Sequence, residues 1–240
     1  MAYTRSLLVL LVIPALTVVR CAPIQPPVLP DFFQGNFTEF VAPLAGPPPY
    51  FNGIPSAPFR ATRGAVFYDW TLGNMIEQRF DHCINIFPTG FDFPCTFHNV
   101  NGTSYFITFN KTTDFPPCCV FGQPWSPPNP YFLRFNVTAV LAQTEAWDCV
   151  EDNWWTVPSI PPPTGPFWYA FRKSMENETA TRQVYHSFSF PGMEGWIQQN
   201  FVNIHHTRPD RSVWDMPQEC LPVEALPNCG FFSRSRNGNP

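Results

Sequence analysis

The chain has 240 residues, which is enough for one sizeable domain or two small ones. Apolar residues make up 44% and charged residues only 13%, so the chain can form a core and is not disordered as a whole. The formal net charge of −4 argues against nucleic acid and anionic membrane surfaces as partners. The 30 prolines and 25 phenylalanines disfavour long helices and favour strands.

Residues 1–21 have the features of a secretory signal peptide. Arg5 supplies a positive start, an uncharged and mostly apolar run extends from Leu7 to Val19, and cleavage is expected after Cys21. That run is shorter than the about 20 residues of a membrane span; an uncleaved anchor is the alternative. Loss of Arg5 and Arg20 would reduce the 14 basic residues to 12 against 18 acidic ones, a net charge of −6.

Residues 22–58 are rich in proline and are predicted to be an extended leader that lies along the domain without its own core. We expect the β domain over residues 59–232 and a polar tail over 233–240.

Short aromatic and β-branched runs, separated by turn residues, predict about seven strands from Arg60 onward. An Asn-Gly pair at Asn101 and Gly102 predicts a hairpin turn. The runs are GAVFYDWT, MIEQRFDHCINIF, NGTSYFITFN, YFLRFNVTAVLA, FWYAFR, RQVYHSFSF and GWIQQNFVNIHH. Together they predict an all-β fold, an antiparallel sandwich or half-open barrel.

The sequence contains five N-glycosylation sequons, at Asn36, Asn101, Asn110, Asn136 and Asn177. They favour a glycosylated protein in an oxidising compartment, extracellular or secreted, with a lysosomal or cell-surface location as alternatives.

The sequons also predict which strand residues face inward, because a glycan must lie in water. Asn110 would place Phe106 and Thr108 on its outward face, and Asn136 would place Arg134 and Thr138 outside. The strand RQVYHSFSF has a further apolar face, on which a histidine is either a pH-sensitive residue or is hydrogen-bonded within the core. The predicted inward residues are Tyr105, Ile107, Phe109, Leu133, Phe135, Val137, Val184, His186, Phe188 and Phe190.

Residues 142–166 are predicted to form a long loop with clustered acidic side chains, and such loops are often functional. Calcium prefers clustered oxygen ligands, so Glu145, Asp148, Glu151 and Asp152 are the candidate metal ligands. A solvated acidic loop is the alternative.

Eight cysteines are present, and loss of Cys21 with the signal leaves seven, enough for three disulfides and one spare thiol. The adjacent Cys118 and Cys119 belong to no Cys-x-x-Cys motif, and they cannot easily both bind one tetrahedral zinc ion. A disulfide between the two neighbours is possible but rare. We expect each to bond a distant partner.

The order of several landmarks resembles that of the ependymin-related family of secreted glycoproteins. The resemblance covers about residues 60–230. The landmarks are VFYDW at Val66–Trp70, EQRFD at Glu77–Asp81, NGTSYFITFN, the adjacent cysteines with Gln123-Pro124-Trp125, and the closing Trp214-x-x-Pro217-x-x-Cys220. The simplest family pattern does not require Cys83, Cys149 or a doubled cysteine.

This resemblance implies two curved antiparallel sheets around a deep hydrophobic pocket, similar to the bacterial lipoprotein-carrier fold. The inward residues named above are then the expected lining of that pocket. It also implies possible calcium binding and the disulfide Cys119–Cys220, or Cys118–Cys220 in its place, together with Cys95–Cys229. Cys83–Cys149 is the third predicted pair, which leaves Cys118 unassigned.

The sequence contains no metalloprotease, nucleophile-elbow or phosphate-loop motif, so we do not expect an enzyme. The predicted function is a secreted, non-catalytic binding protein for lipid or another hydrophobic ligand, without a cofactor unless calcium binds. The alternative is an adhesive or structural glycoprotein of the matrix or cell surface, for which an exposed Trp154-Trp155 pair would be suited. No transmembrane span is expected, and a dimer is possible through the family fold or a spare cysteine.

Overall fold

The structure is a computed structural model that describes residues 26–42, 61–83, 93–109, 116–135, 140–147, 150–157, 167–172, 182–191 and 196–229. The eleven strands of these ranges form one antiparallel sheet, which confirms the all-β prediction. All eleven belong to the same hydrogen-bonded sheet and are not divided between two sheets.

The strands are β1 (Phe32–Ala42), β2 (Ala61–Asp69), β3 (Asn74–Arg79), β4 (Cys95–Val100), β5 (Thr103–Ile107), β6 (Cys118–Gly122), β7 (Val140–Trp147), β8 (Val150–Val157), β9 (Phe167–Arg172), β10 (Ser187–Pro191) and β11 (Trp196–His205). A single α-helical turn, α1, spans Phe132–Phe135, and 3-10 turns span Trp70–Leu72, Arg211–Trp214, Gln218–Cys220 and Val223–Ala225.

Strand β1 lies at the centre of the sheet, whose order is β6-β5-β4-β3-β2-β1-β11-β10-β9-β8-β7. It pairs with β2 on one side and β11 on the other. The prediction of a leader without a core is therefore wrong for residues 32–42. Phe33, Phe37 and Phe40 of β1 are fully buried. The stretch lacks proline between Pro30 and Pro43, so it can pair on both edges.

The sheet is strongly curved, as residues far apart in strand order show. Met75 of β3 and Trp155 of β8 belong to one buried apolar cluster. They are six strand positions apart, which is roughly 29 Å across a flat sheet at about 4.8 Å per strand. The face that carries them is therefore concave. Leu29 and Leu133 from two non-strand segments pack into the same cluster, joined by the Leu29 N–H, which donates to the Pro130 carbonyl at 2.9 Å.

The adjacent cysteines tie the C-terminal segment to both faces of the edge strand β6. Successive strand residues point to opposite faces. Cys118 bonds Cys220 on the convex side, and Cys119 bonds Cys229 on the concave side. Between these bonds the Val120 N–H donates to the Pro227 carbonyl at 2.8 Å, so the segment also covers the free edge of β6.

The structure corrects the predicted disulfides. The pairs are Cys118–Cys220, Cys119–Cys229 and Cys83–Cys95, not Cys119–Cys220, Cys95–Cys229 and Cys83–Cys149. The pairing of β3 with β4 places Cys95 opposite Arg79 and brings it near Cys83, with 5.1 Å between the two Cα atoms. The alternative Cys118–Cys220 is confirmed, and Cys149 lies outside the described residues.

Two element predictions are also corrected. Residues 132–135, predicted as strand, form α1, and residues 142–157, predicted as loop, lie largely in the β7–β8 hairpin. The hairpin at Asn101 and Gly102 is confirmed, because both residues have positive φ, 51° and 76°. The predicted signal peptide and polar tail lie outside the described residues.

Candidate ligand-binding interior

One side of the concave face is lined almost continuously with aromatic rings. We define this aromatic face as Trp155, Phe167, Tyr169, Phe171, Tyr185, Phe188, Phe190 and Phe201, from β8 to β11 and the segment before β10. Tyr169 and Phe188 stack with ring centroids 4.9 Å apart, and Phe188 stacks on Phe190 at 5.1 Å. Tyr185 meets the Phe201 ring edge-on at 5.0 Å. Strand pairing sets this arrangement, since Phe188 lies opposite Tyr169 across β9 and β10.

Three rings of the aromatic face are not sealed by their neighbours. Phe167, Phe188 and Phe190 are only partly buried, although Phe171 beside them is fully buried. They also contact one another, at 5.8 Å between Phe167 and Phe188. Adjacent apolar rings that stay accessible on a concave surface can hold an apolar molecule.

A charged network lies on the same concave face, on strands β1, β3 and β11. Arg79 donates to both carboxylate oxygens of Glu39, from Nε at 3.1 Å and from Nη2 at 2.7 Å. Its Nη2 lies 3.5 Å from Glu77 Oε2, and Gln199 Nε2 donates to Glu39 Oε2 at 2.5 Å. Arg79 and Glu39 are fully buried, which requires this pairing because an isolated ion in an apolar interior is very costly.

Aromatic rings cover the guanidinium on both sides. The Arg79 Cζ atom lies 5.6 Å from the Phe37 ring centroid and 5.4 Å from that of Phe97. Burial alone would lower the pKa of Arg79, but the charges of Glu39 and Glu77 hold it above its ordinary value. Burial raises the pKa of the Glu77 carboxyl; Arg79 opposes that shift, and Glu39 adds to it.

The charged network and the aromatic face are close neighbours in space. The Phe37 ring, whose centroid lies 5.6 Å from Arg79 Cζ, is 5.9 Å from the ring of Phe201 in the aromatic face. Burial raises the pKa of Tyr169, and the negative charge of Glu77 raises it further. Glu77 lies on β3 and Tyr169 on β9, five strand positions apart, or roughly 24 Å across a flat sheet. The curvature of the sheet therefore brings a carboxyl group to the edge of the aromatic face.

The inward residues predicted on β5 do not reach the aromatic face. Tyr105 and Ile107 lie on the convex side, in a cluster with Cys118 and Cys220 that the C-terminal segment covers. Phe109 is 41% exposed. Phe106, predicted to face outward, is fully buried on the concave side against Phe97. The prediction fails because both faces of β5 are covered, so a single outward face does not exist.

Several other predicted lining residues are placed by the structure. Leu133 is buried in the cluster with the aromatic face, but it comes from α1 and not from a strand. Val184 and Phe188 pack against the same cluster. The side chain of Phe135 and the whole of Val137 lie outside the described residues.

His186 is not part of the aromatic face, contrary to prediction. Tyr185 and Phe188 both pack in the concave cluster, so two residues lie between them where strict alternation would allow one. The His186 ring instead lies near Arg172, with 2.8 Å between His186 Nε2 and Arg172 Nη2. Arg172 follows Phe171 in β9 and so points to the convex side.

The predicted calcium ligands are described only in part. Glu145 and Asp152 are directly opposite each other in the β7–β8 hairpin, and Asp148 lies outside the described residues. Among the residues that the structure describes, no group of three or more His, Cys, Asp or Glu side chains is arranged to hold a metal ion. Calcium binding stays a prediction.

Sequence reasoning missed Tyr169, Glu77 and Arg79. No sequon lies in the run FWYAFR, so nothing assigned its faces. Glu77 and Arg79 lie two residues apart in a strand and share a face with Met75, so strand alternation in the sequence could have grouped them.

In the described part of the chain no helix is long and apolar enough to cross a membrane.

Solved structures with similar folds share low identity with the chain. An uncharacterized conserved protein from Thermus thermophilus has a TM-score of 0.44 and 8% identity, over 79% of this chain and 88% of that one. A LolA superfamily protein from Nitrosomonas europaea has a TM-score of 0.36 and 9% identity, over 80% and 93%. LprF from Mycobacterium bovis has a TM-score of 0.38 and 12% identity, over 75% and 89%. No family model matches the sequence, and no curated protein matches it.

Proposed function

We propose that the protein is a secreted, N-glycosylated, non-catalytic binding protein that holds a lipid or another hydrophobic ligand against the aromatic face. The observation that carries this proposal is the set of adjacent, partly buried rings of Phe167, Phe188 and Phe190 on the concave side of the sheet. Close packing normally covers core rings completely. An apolar molecule lying on these three rings would remove their remaining surface from water.

The surface and the covalent structure support a secreted protein. Three disulfides are typical of proteins that fold in an oxidising compartment. The sequon asparagines Asn36 and Asn101 are both exposed, Asn36 on the convex side of β1 and Asn101 in the β4–β5 turn. Glycans at these two positions would lie away from the aromatic face. The ependymin-related resemblance stays a prediction.

The adhesive alternative loses one of its supports. Trp154 and Trp155, which an adhesive surface would need to expose, are 4% and 3% exposed. We therefore retain the binding protein as the proposed function.

Ligand uptake tests the proposal directly. Native mass spectrometry of secreted protein should show a co-purifying apolar molecule, and the delipidated protein should bind a neutral long-chain alcohol such as dodecanol. Substitution of Phe190 by Ser should weaken dodecanol binding about tenfold or more, since one ring contact is worth about 1.5–3 kcal/mol.

Phe80→Ser is the matched control, because Phe80 is 49% exposed at the end of β3. It should leave dodecanol binding unchanged. If the wild-type protein neither carries an apolar molecule nor binds dodecanol, the proposed function is wrong.

A further inference from the structure

The charged network of the concave face, as far as the described residues form it, holds more negative than positive charge. Two carboxylates, Glu39 and Glu77, share the single guanidinium of Arg79. Arg79 forms its bidentate pair with Glu39, and only the longer 3.5 Å contact joins it to Glu77. The bidentate pair directs the Arg79 guanidinium toward both oxygens of Glu39. Glu77 is therefore the carboxylate of the network that lacks a full counter-charge.

A second hydrogen-bond acceptor beside this pair also lacks a partner. Gln199 donates its amide nitrogen to Glu39, and its Oε1 has no hydrogen bond although the side chain is only 1% exposed. Reversal of the amide would set Oε1 against the Glu39 carboxylate, so the network fixes this orientation. The site therefore offers hydrogen-bond acceptors on the partly exposed Glu77 carboxylate and on the unpartnered Gln199 Oε1.

Glu77 is also the accessible member of the network. Its side chain is 19% exposed, whereas those of Glu39 and Arg79 are 0% and 1% exposed. It lies beside the aromatic face, because Met75, two residues earlier on the same face of β3, packs in one buried cluster with Tyr169 and Tyr185. The negative charge of Glu77 adds to the effect of burial in raising the pKa of both phenols. A carboxylate bordered by aromatic rings is suited to an organic cation, which gains both an ion pair and cation–π attraction.

We propose that Glu77 pairs with the cationic amine head of an apolar ligand whose chain lies on the aromatic face. This inference rests on the proposed function and names the ligand class. The head would donate to the Glu77 carboxylate and to Gln199 Oε1, and it would balance the surplus negative charge. The raised pKa of Glu77, caused first by burial, is consistent with a carboxylate that lacks this partner.

An anionic head does not suit the same site. Arg79 Nη1 has no oxygen partner, but the rings of Phe37 and Phe97 cover the guanidinium. The carboxylate of a fatty acid would add a third negative charge beside Glu39 and Glu77. We therefore expect an amine to bind better than an alcohol of the same length, and a fatty acid to bind worse.

Three ligands with the same twelve-carbon chain test this order. Dodecylamine, dodecanol and dodecanoate displace a neutral fluorescent dye from the delipidated full-length protein at pH 7, below their micelle concentrations. The amine should bind about tenfold more tightly than dodecanol, as expected for a charge-assisted contact. Glu77→Gln should reduce that preference to about twofold or less, and Glu224→Gln, at an exposed carboxyl of the C-terminal segment, should leave it intact.

The possible failures are distinguishable. If dodecanol binds and dodecylamine is no better, or if Glu77→Gln keeps the preference, the inference is wrong while the proposed function stands. If none of the three ligands displaces the dye, the proposed function fails as well. Unchanged dodecanol affinity shows that Glu77→Gln is folded.

The pH dependence of the wild-type protein gives a second test that needs no variant. Glu39, Arg79, Tyr169 and Tyr185 are the charged or titratable groups that act with Glu77. Arg79 and the two tyrosines keep their protonation state between pH 7 and pH 4. The preference for the amine should therefore fall with pH as Glu77 takes up a proton, and a preference that is constant over this range overturns the inference.

Discussion

Replacement of one of the two disulfides of the C-terminal segment should cost less than half of what replacement of both costs. The bonds Cys118–Cys220 and Cys119–Cys229 close loops with sequence separations of 102 and 110. Their ends are neighbours, because Cys118 and Cys119 are adjacent and Cys220 and Cys229 are nine positions apart along the chain. Each bond therefore closes only a small additional ring while the other is intact.

Loop-closure entropy gives the magnitudes. Either bond alone constrains the unfolded chain by about 4.7 kcal/mol, the value for a loop of about 100 residues. With the other bond present, it closes a ring of about ten residues, which is worth about 3 kcal/mol. Either paired replacement should thus cost about 3 kcal/mol, and both together about 7.5 kcal/mol.

Urea unfolding under non-reducing conditions measures these differences. The variants are Cys118→Ala with Cys220→Ala, Cys119→Ala with Cys229→Ala, and all four together; alanine avoids a buried hydroxyl. The single pairs should remain folded. The fourfold variant should be at the limit of folding, since domain stabilities are about 5–15 kcal/mol. Cys83→Ala with Cys95→Ala is the control, because the Cys83–Cys95 bond closes its own loop, with a sequence separation of 12, and shares no ring with the other two bonds. Its cost of about 3 kcal/mol should add to the cost of either other paired replacement.

Equal and additive losses of about 4.7 kcal/mol for the two single pairs would refute this reasoning. They would show that each bond constrains the unfolded chain independently of the other.

Three further changes test the interior. Gly64→Ala should destabilise the fold by about 1–3 kcal/mol in urea unfolding, because its Cβ would lie 2.3 Å from a backbone oxygen of β3. Gly122→Ala is the control, since its Cβ would meet nothing within 4 Å. Equal effects of the two substitutions would contradict the predicted clash. Arg79→Met should cost about 3–5 kcal/mol, because it leaves the buried Glu39 carboxylate and the partly buried Glu77 carboxylate without their counter-charge. Adding Glu39→Gln should recover part of that loss; no recovery would show that packing and not charge decides it. Burial raises the pKa of Glu77 in the folded state, so the contribution of its protonated form to stability is lost as pH rises through that raised pKa. Glu77→Gln should therefore be more stable than the wild type in thermal melts at pH 7, with the gain shrinking as the pH falls through the raised pKa and absent below the ordinary pKa of 4.5; a gain that does not vary with pH would refute this.

Local pattern predicted the fold class and several details. The turn at Asn101 and Gly102 was correct because two adjacent residues with positive φ favour that pair. The strand in FWYAFR was correct, and that in RQVYHSFSF was correct from Ser187 onward, because aromatic and β-branched runs fit a pleated, half-buried surface. The proline-rich surroundings of β1 hid the central strand of the sheet, since composition describes a segment and not its partners.

The faces of the strands could not be read locally. Alternation gave the relative parity of Tyr105 and Phe106 correctly, but the C-terminal segment buries one side and the concave core buries the other. Which side holds a ligand depends on the curvature of the whole sheet, and no single strand encodes that curvature.

By itself, then, the sequence determined an antiparallel β protein with distant disulfide partners for its adjacent cysteines, because strand propensity, turn residues and alternation act within a few residues. Only the tertiary structure decided that Cys118 pairs with Cys220 and Cys119 with Cys229, since the choice depends on the path of the C-terminal segment around β6. The placement of Glu77 beside Tyr169 was decided in the same way. Five strand positions separate them in the sheet, and its curvature brings the face of β3 that carries Met75 and Glu77 to the aromatic face.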